Sequence, residues 1–520
     1  MISRTTQSLL AAVGVLAVAV GIAEVHPPTG QAAAPGRTVR TAVQHSSLVC
    51  PPPLQSLTGS TVYSLAAPGA ASGAGTGADS GTGTATLGGL PVAAPAAGAS
   101  ASASPSASSS SSKAPTSKAP AAPGAPSVIA KQARVGGGTT AKAASGDKAV
   151  ALLGTADGLV APGFTVQQTT TGPNKALSGT ACGAPGTDFW FAGADSLKSS
   201  VDYLELTNAE STVADVDVQI FGADGEVDNA QAANISVPAD GTSSLLLSTL
   251  LGPGTGTSDL SVHVVVRSGR VGASLHADRG GSAGADWLPA TAPAGTQVIP
   301  GLPGDLTDAS LVIAVPGSAD VDLKVQLASQ DGWITPAGHE TVHAKAGMTT
   351  AFDLGAITHG QPAAMRLVPS DPKQAAPFVA GVRVVRGKTK TGQDVGYLAG
   401  STPIGQRATA AGNANGDSSL LLTATGRAAV VKVSEIGATG TPTTQNVSIR
   451  AGATVLAALK GPSGSYAVTV EPVSGGPVYA ARMISRSSGG VPTFTVQQLP
   501  DDRSTVQIPR AVQDDAILMP

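Results

Sequence analysis

Charge is scarce in this sequence. Asp, Glu, Lys and Arg make up 12% of it and leave a formal net charge of -3, where an average soluble chain is about a quarter charged. No stretch concentrates lysine and arginine, so nothing displaces counterions from phosphates, and nucleic acid is excluded as a partner. Aromatic residues are 3% of the chain, and only two cysteines occur. No segment carries a convincing helical period. What fills the space is a turn-rich, small-residue composition with 65 Gly and 38 Pro.

The long apolar run from Leu9 to Ala23 follows Arg4 and ends at Glu24, His26, Pro27 and Pro28. Segment 1–24 reads as an export signal. A helix over Leu9 to Ala23 spans about 22 Å, short of the roughly 30 Å hydrocarbon core, which favours a cleaved signal peptide over a retained signal anchor. Both readings stay open. The address is extracellular or cell-surface, with the membrane touched only through this N-terminal segment. In an exported chain two cysteines normally pair, so Cys50 and Cys182 are expected to form a disulfide, with two buried free thiols as the alternative.

The chain then divides by composition and repetition. Segment 38–66 carries short strands at Ser47 to Val49 and Ser60 to Leu65. Segment 68–126 collapses into Ala, Gly, Ser, Thr and Pro and is expected to be a disordered insert, because it buries too little apolar surface to offset its ordering entropy. Segment 127–187 resumes the alternation, and the two flanking pieces together read as one divergent unit. Three regular units follow over 188–289, 290–403 and 404–500, and 501–520 reads as a C-terminal strand. The turns at Asp240-Gly241, Ala346-Gly347 and Ala451-Gly452 set the repeat, with the glycines 106 and 105 residues apart.

Within the units apolar residues recur at every second position, as in Val216, Val218 and Ile220, or Val321, Leu323, Val325 and Leu327. That is the period of a strand with one buried face. Asp-Gly and Ser-Gly pairs punctuate the strands. The expected fold is all-β, a set of tandem β-sandwich (Ig-like) repeats; the alternative is a β-propeller. Phe-Thr-Val-Gln-Gln occurs at Phe164 to Gln168 and again at Phe494 to Gln498, so the beginning and end of the repeat region resemble one another.

The motif with the sharpest chemistry is His339-Glu340-Thr341-Val342-His343. On a helix, two histidines four apart would bind zinc while the glutamate polarised water, which would make the chain a zinc-dependent hydrolase. Here Thr341 to Gly347 aligns with strand-like segments of the other repeats, and on a strand residues four apart stand about 13 Å apart. His339 and His343 are therefore only an alternative metal pair; no metal, cofactor or catalytic residue is expected. Asp215 with Asp217, and Asp320 with Asp322, read as solvated strand faces before calcium ligands. Gly416-Asp417-Ser418 faintly resembles a nucleophile turn, but no histidine follows it. Trp190, Trp287 and Trp333 could stack sugars. Trp287-Leu288 and Tyr397-Leu398 occupy matching places in successive units, which favours packing at a junction.

The pattern of an N-terminal apolar segment, Leu48-Val49-Cys50-Pro51, a low-complexity insert, Ala181-Cys182, Asp188-Phe189-Trp190-Phe191 and Leu204 to Asn208 resembles the actinobacterial domain of unknown function 5719. The resemblance implies an exported envelope protein encoded near membrane glycosyltransferases, and it supplies no catalytic residues. The expected function is a non-catalytic cell-envelope binding or scaffolding protein assisting surface polysaccharide assembly or export. Its expected partner is an envelope glycan or a membrane glycosyltransferase.

Overall fold

The computed structural model describes residues 39–53, 59–71, 82–90, 127–143, 149–172, 176–228, 232–252, 256–280, 284–388, 392–438 and 442–508. The export segment 1–24, residues 91–126 of the insert and residues 509–520 lie outside them.

The described chain is a series of antiparallel strands. After β1 (Val39–Ala42), the first sandwich holds β2 (His45–Cys50), β3 (Ser60–Ala67), β4 (Thr84–Gly89), β5 (Val128–Gln132), β6 (Gly136–Ala143), β7 (Leu152–Asp157), β8 (Thr165–Thr171) and β9 (Leu177–Ala181). The second holds β10 (Asp188–Ala194), β11 (Val201–Asn208), β12 (Ala214–Gly222), β13 (Gly225–Glu226), β14 (Ile235–Val237), β15 (Gly241–Leu246), β16 (Leu260–Ser268), β17 (Gly272–Asp278) and β18 (Ala285–Leu288). The third holds β19 (Gln297–Leu302), β20 (Leu306–Ala314), β21 (Val321–Ser329), β22 (Gly332–Ile334), β23 (Thr341–Ala344), β24 (Thr349–Asp353), β25 (Ala363–Pro369), β26 (Val379–Gly387) and β27 (Gln393–Ala399). The fourth holds β28 (Ala408–Asn413), β29 (Ser418–Ile436), β30 (Thr443–Ile449), β31 (Ala453–Ala458), β32 (Tyr466–Ser488) and β33 (Val491–Gln498), and β34 (Thr505–Ile508) pairs with β1.

One strand order is used four times. In the second sandwich the sheets run β10-β16-β12-β13, with β14 also on β12, and β15-β11-β17-β18. The first (β2-β7-β4-β5 and β6-β3-β8-β9) and third (β19-β25-β21-β22 and β24-β20-β26-β27) follow the same scheme. In the fourth, β29 and β32 are long enough to run through both sheets, so one continuous sheet β28-β32-β29-β30, with β31 and β33 added, folds over itself. Alternation drives this: along β21, Val321, Leu323, Val325 and Leu327 are buried while Asp322 and Lys324 are exposed.

Three sequence expectations change. Segment 68–126 is not wholly outside the fold, because β4 lies between β7 and β5 with Ala85 and Leu87 fully buried. Its Ala, Gly and Thr content concealed the alternation. The two Phe-Thr-Val-Gln-Gln segments are not equivalent, since the first enters β8 and the second lies in β33. The turn glycines also differ: Gly347 and Gly452 take left-handed φ values of 68° and 71°, whereas before β15 that conformation belongs to Asp240, at 48°.

The sandwiches close into a ring. β10 packs on β20 and β26 of the third sandwich, β19 on β29, β32 and β33 of the fourth, and β28 on β3 and β8 of the first. Val49 of β2 meets Gly272 of β17, which completes the circuit. The cyclic character of a propeller is thus present, but each unit around the axis is a two-layered sandwich. The cores are shared: Phe494 and Val496 of β33 fill the core of the third sandwich, and Val395 and Tyr397 of β27 fill that of the second. Each of β10, β19 and β28 breaks register at a glycine in the left-handed half of φ, Gly193, Gly301 and Gly412 respectively. A bulge there bends the strand onto its neighbour. In the first sandwich β2 has no such bulge. It ends in Cys50, which is bonded to Cys182.

Among the described residues no helix is long and apolar enough to cross a membrane. The disulfide closes a loop of 132 residues, so replacing both cysteines by serine is expected to lower stability by up to about 5 kcal/mol on the chain-entropy account, read from urea unfolding. At Gly301, φ is 102°, and an added Cβ would stand 2.7 Å from Val496 Cγ1 and 2.8 Å from Ala481 Cβ. Gly301→Val is therefore expected to cost on the order of 2 kcal/mol or more, while Gly183→Ala, in open space, should cost far less in the same assay.

Candidate functional site

Ionisable groups that are both buried and perturbed are the first place to look for chemistry. One set forms a buried ion-pair cluster in the second sandwich, where Arg279 binds Asp202 at 2.6 Å and Asp195 at 3.1 Å and burial raises Asp202 to about 6. Another stands at the ring axis. The last strand of each sandwich is an edge strand, paired only to its own neighbour: β9 to β8, β18 to β17, β27 to β26 and β33 to β32. These four strands touch in the cycle β9, β18, β27, β33 and back to β9.

Asp286 of β18 is buried, and its Oδ1 accepts hydrogen bonds from Gly179 N of β9 (2.9 Å), Trp287 N (2.9 Å) and Thr495 Oγ1 of β33 (3.2 Å). Burial pushes its carboxyl well above the ordinary carboxylate range, against those three donors. Asp394 of β27 repeats the arrangement, accepting from Phe494 N of β33 (2.8 Å) and from Val395 N (3.1 Å). Burial raises it to about 7, opposed by the two backbone N–H groups and by Arg386. Arg386 itself forms a two-pronged pair with Asp305 at 2.7 and 2.8 Å and lies 4.9 Å from the Phe494 ring centre.

A buried arginine completes the axis. Arg482 of β32 is 1% exposed and donates to the Ala411 carbonyl and to Gln497 Oε1, two neutral acceptors. Burial lowers its guanidinium to about 9. Nearby, Gln167 Oε1 accepts from Ala411 N at 2.7 Å. His276 stands edge-on to Trp287 at 5.3 Å, and burial, aided by Arg279, pushes it down to about 3, so it is a neutral ring. Asp286, Asp394 and Gln167 each bind backbone of an adjoining sandwich, whereas Arg482 ties β32 to β28 and β33 within the fourth. A carboxylate that accepts two or three N–H bonds is a structural clamp and a poor base.

The motifs singled out in the sequence lie elsewhere. β23 is a strand, and Asp322 pairs with His343 across it. Both ring nitrogens of His343 face aspartate, Nδ1 at 2.9 Å from Asp322 and Nε2 at 3.5 Å from Asp320. His339 precedes the strand in a turn, its N–H donating to the Pro336 carbonyl. Among the described residues no group of three His, Cys, Asp or Glu side chains could hold a metal ion. Asp217 binds Arg267 at 2.6 Å and accepts from Asn234 N at 2.8 Å, and that backbone bond is the main reason its carboxyl sits low. Ser418 Oγ accepts from Ala414 N at 3.1 Å, while Asp417 binds Arg486 at 2.8 Å.

The three tryptophans do not form one platform. Trp190 stacks on His263 with ring centres 3.9 Å apart and packs with Ala314 and Val379 where the second and third sandwiches meet. Trp333 carries the Arg366 guanidinium 4.0 Å from its ring centre and lies against Gly452 of the fourth. Trp287 sits at the axis. Sequence reasoning missed Asp286, Asp394 and the three bulge glycines; the signal for the glycines was their place in the first strand of the second, third and fourth units, spaced by one repeat.

A family model described as a family of unknown function, DUF5719, matches residues 140–460. No curated protein matches the chain.

Because Asp394 is protonated in the fold up to about pH 7 but would ionise near 4 when unfolded, the folded state binds the extra proton between those values. Its contribution to stability is full below pH 4 and is lost as pH rises through 7. Asp394→Asn is expected to show a flatter stability profile between pH 4.5 and 8, by up to about 3 kcal/mol, measured by urea unfolding at both ends. Parallel profiles would show that Asp394 does not hold the proton.

Proposed function

Because the chain belongs to DUF5719, a family of unknown function, its role has to be argued from its own residues, and we propose that it is an exported, non-catalytic binding or scaffolding protein of the cell envelope. The observation that carries this reading is how the ring uses its buried ionisable groups. Asp286 and Asp394 are occupied by backbone N–H groups of adjoining strands. Arg407 is tied to Asp502 at 2.6 Å and to the Gly69 carbonyl at 2.7 Å. The polar groups most suited to chemistry are committed to holding four sandwiches together, which favours a rigid body that offers its outer faces to a partner.

The bond between Cys50 and Cys182 fits an oxidising compartment outside the cell, and segment 1–24 would supply the address. The partner in this reading is a surface glycan, or the membrane glycosyltransferase that builds it, which the protein would hold during assembly or export. The full chain is expected to cosediment with isolated envelope polysaccharide or to be retained by the detergent-solubilised glycosyltransferase, and to lose retention when the disulfide is reduced. Retention by neither would overturn the proposal. Stoichiometric zinc lost on His343→Ala would move the protein to the hydrolase class.

A further inference from the structure

A crevice of about 190 Å³ opens at the seam where the fourth sandwich meets the first. One wall is β3 and β8, and the other is the segment from Gly412 to Ser418 between β28 and β29. The bulge at Gly412 shapes it. With φ at 71°, a Cβ on Gly412 would stand 2.3 Å from Ser64 Oγ, so only glycine lets the two backbones approach this closely. The same bulge turns Asn413 inward. Its Nδ2 donates to the carbonyls of Ala410 (3.0 Å) and Tyr466 (3.1 Å), which fixes the orientation of the amide. Its Oδ1 is left buried with no protein partner, on a residue that is 1% exposed, and Ser465 Oγ in the same wall is buried without one as well. Buried polar atoms are rarely left so, since each costs about 1–3 kcal/mol when nothing satisfies it.

The remaining lining is hydroxyl-rich and balanced in charge. Thr169 and Thr171 face it from β8. Arg486 closes one rim, its Nε on Asp417 Oδ2 at 2.8 Å and its Nη1 on Thr171 Oγ1 at 3.3 Å. Ser418 Oγ accepts from Ala414 N, which leaves its proton to donate outward. One guanidinium cancels one carboxylate, so neither an anion nor a cation is selected. A ligand that is neutral, compact and carries adjacent groups able both to donate and to accept suits the chemistry of this wall. A pyranose ring has that chemistry, and the crevice is well below the roughly 300 Å³ of a drug-sized pocket.

We propose that this crevice is a subsite for one neutral sugar ring of a glycan. The crevice chemistry stands by itself; that the sugar belongs to an envelope glycan rests on the function proposed above. With no aromatic face in the lining, affinity for a single ring is expected to be millimolar. The test uses the full chain with glucose, galactose, mannose and arabinose as free probes, followed by saturation-transfer NMR and by the side-chain amide signal of Asn413. At least one sugar is expected to bind and to shift the Asn413 amide on saturation. The near-isosteric Thr169→Val should weaken it about tenfold with an unchanged thermal midpoint. No binding by any of the four sugars, or binding that leaves Asn413 unmoved, overturns the proposal; these readouts need no variant. If the chain still cosediments with envelope polysaccharide while Asn413 stays unmoved, the subsite fails and the envelope reading survives. If neither occurs, both fail.

Discussion

A strand at the edge of a sheet exposes a row of unpaired N–H and C=O groups, and those groups must find partners or water. Each sandwich in this protein ends on such a strand, and four of them point at one axis. The four edges do not pair with one another; each is hydrogen-bonded as a strand only to its own sheet. Side chains supply the missing partners. Asp286 reaches from β18 to β9 and Asp394 from β27 to β33, so two of the four junctions are made by a carboxyl group bridging two backbones.

That solution has a cost, visible in the raised carboxyls of Asp286 and Asp394 and the lowered guanidinium of Arg482. Buried charge is not favourable in itself. What it supplies is directionality: a hydrogen-bonded carboxyl accepts one register of the neighbouring strand, where an apolar contact would accept several. The small-residue composition follows from the same packing. Ala66, Ala411 and Ala467 form the seam between the first and fourth sandwiches, and Gly301 meets Val496 at the next. Larger side chains there would hold the sandwiches apart. Scarce aromatics are compatible with this, because Val, Leu and Ile fill the interiors and the three tryptophans stand where sandwiches meet.

The strand pattern was legible in the sequence because alternation is local. Val216, Val218 and Ile220 declare their buried face without reference to any other part of the chain. The ring was not legible, since its contacts are between residues far apart and of unremarkable type. Gly301 looks like any loop glycine until Val496 is placed against it. β4 escaped because Ala, Gly and Thr carry almost no hydropathy contrast, although Leu87 was available as a single cue. The strand at Thr341 to Ala344, the second half of the zinc-like motif, was legible only because two other repeats showed what the segment had to be. The axis aspartates gave no signal, since an Asp beside a Trp or a Val is as ordinary on a surface as in a clamp.

The contact between Gln168 and Gln497 joins residues separated by 329 positions, and Arg407 reaches back 338 positions to Gly69. Topology of this kind makes folding slow, because long-range closure must precede the contacts that reward it. Until the fourth sandwich has left the ribosome, the third lacks Phe494 and the axis lacks half of its clamps. The chain therefore cannot complete its native state while it is being synthesised. The core of the third sandwich, the axis and the closed circuit thus all wait on β33, one of the last strands to be made.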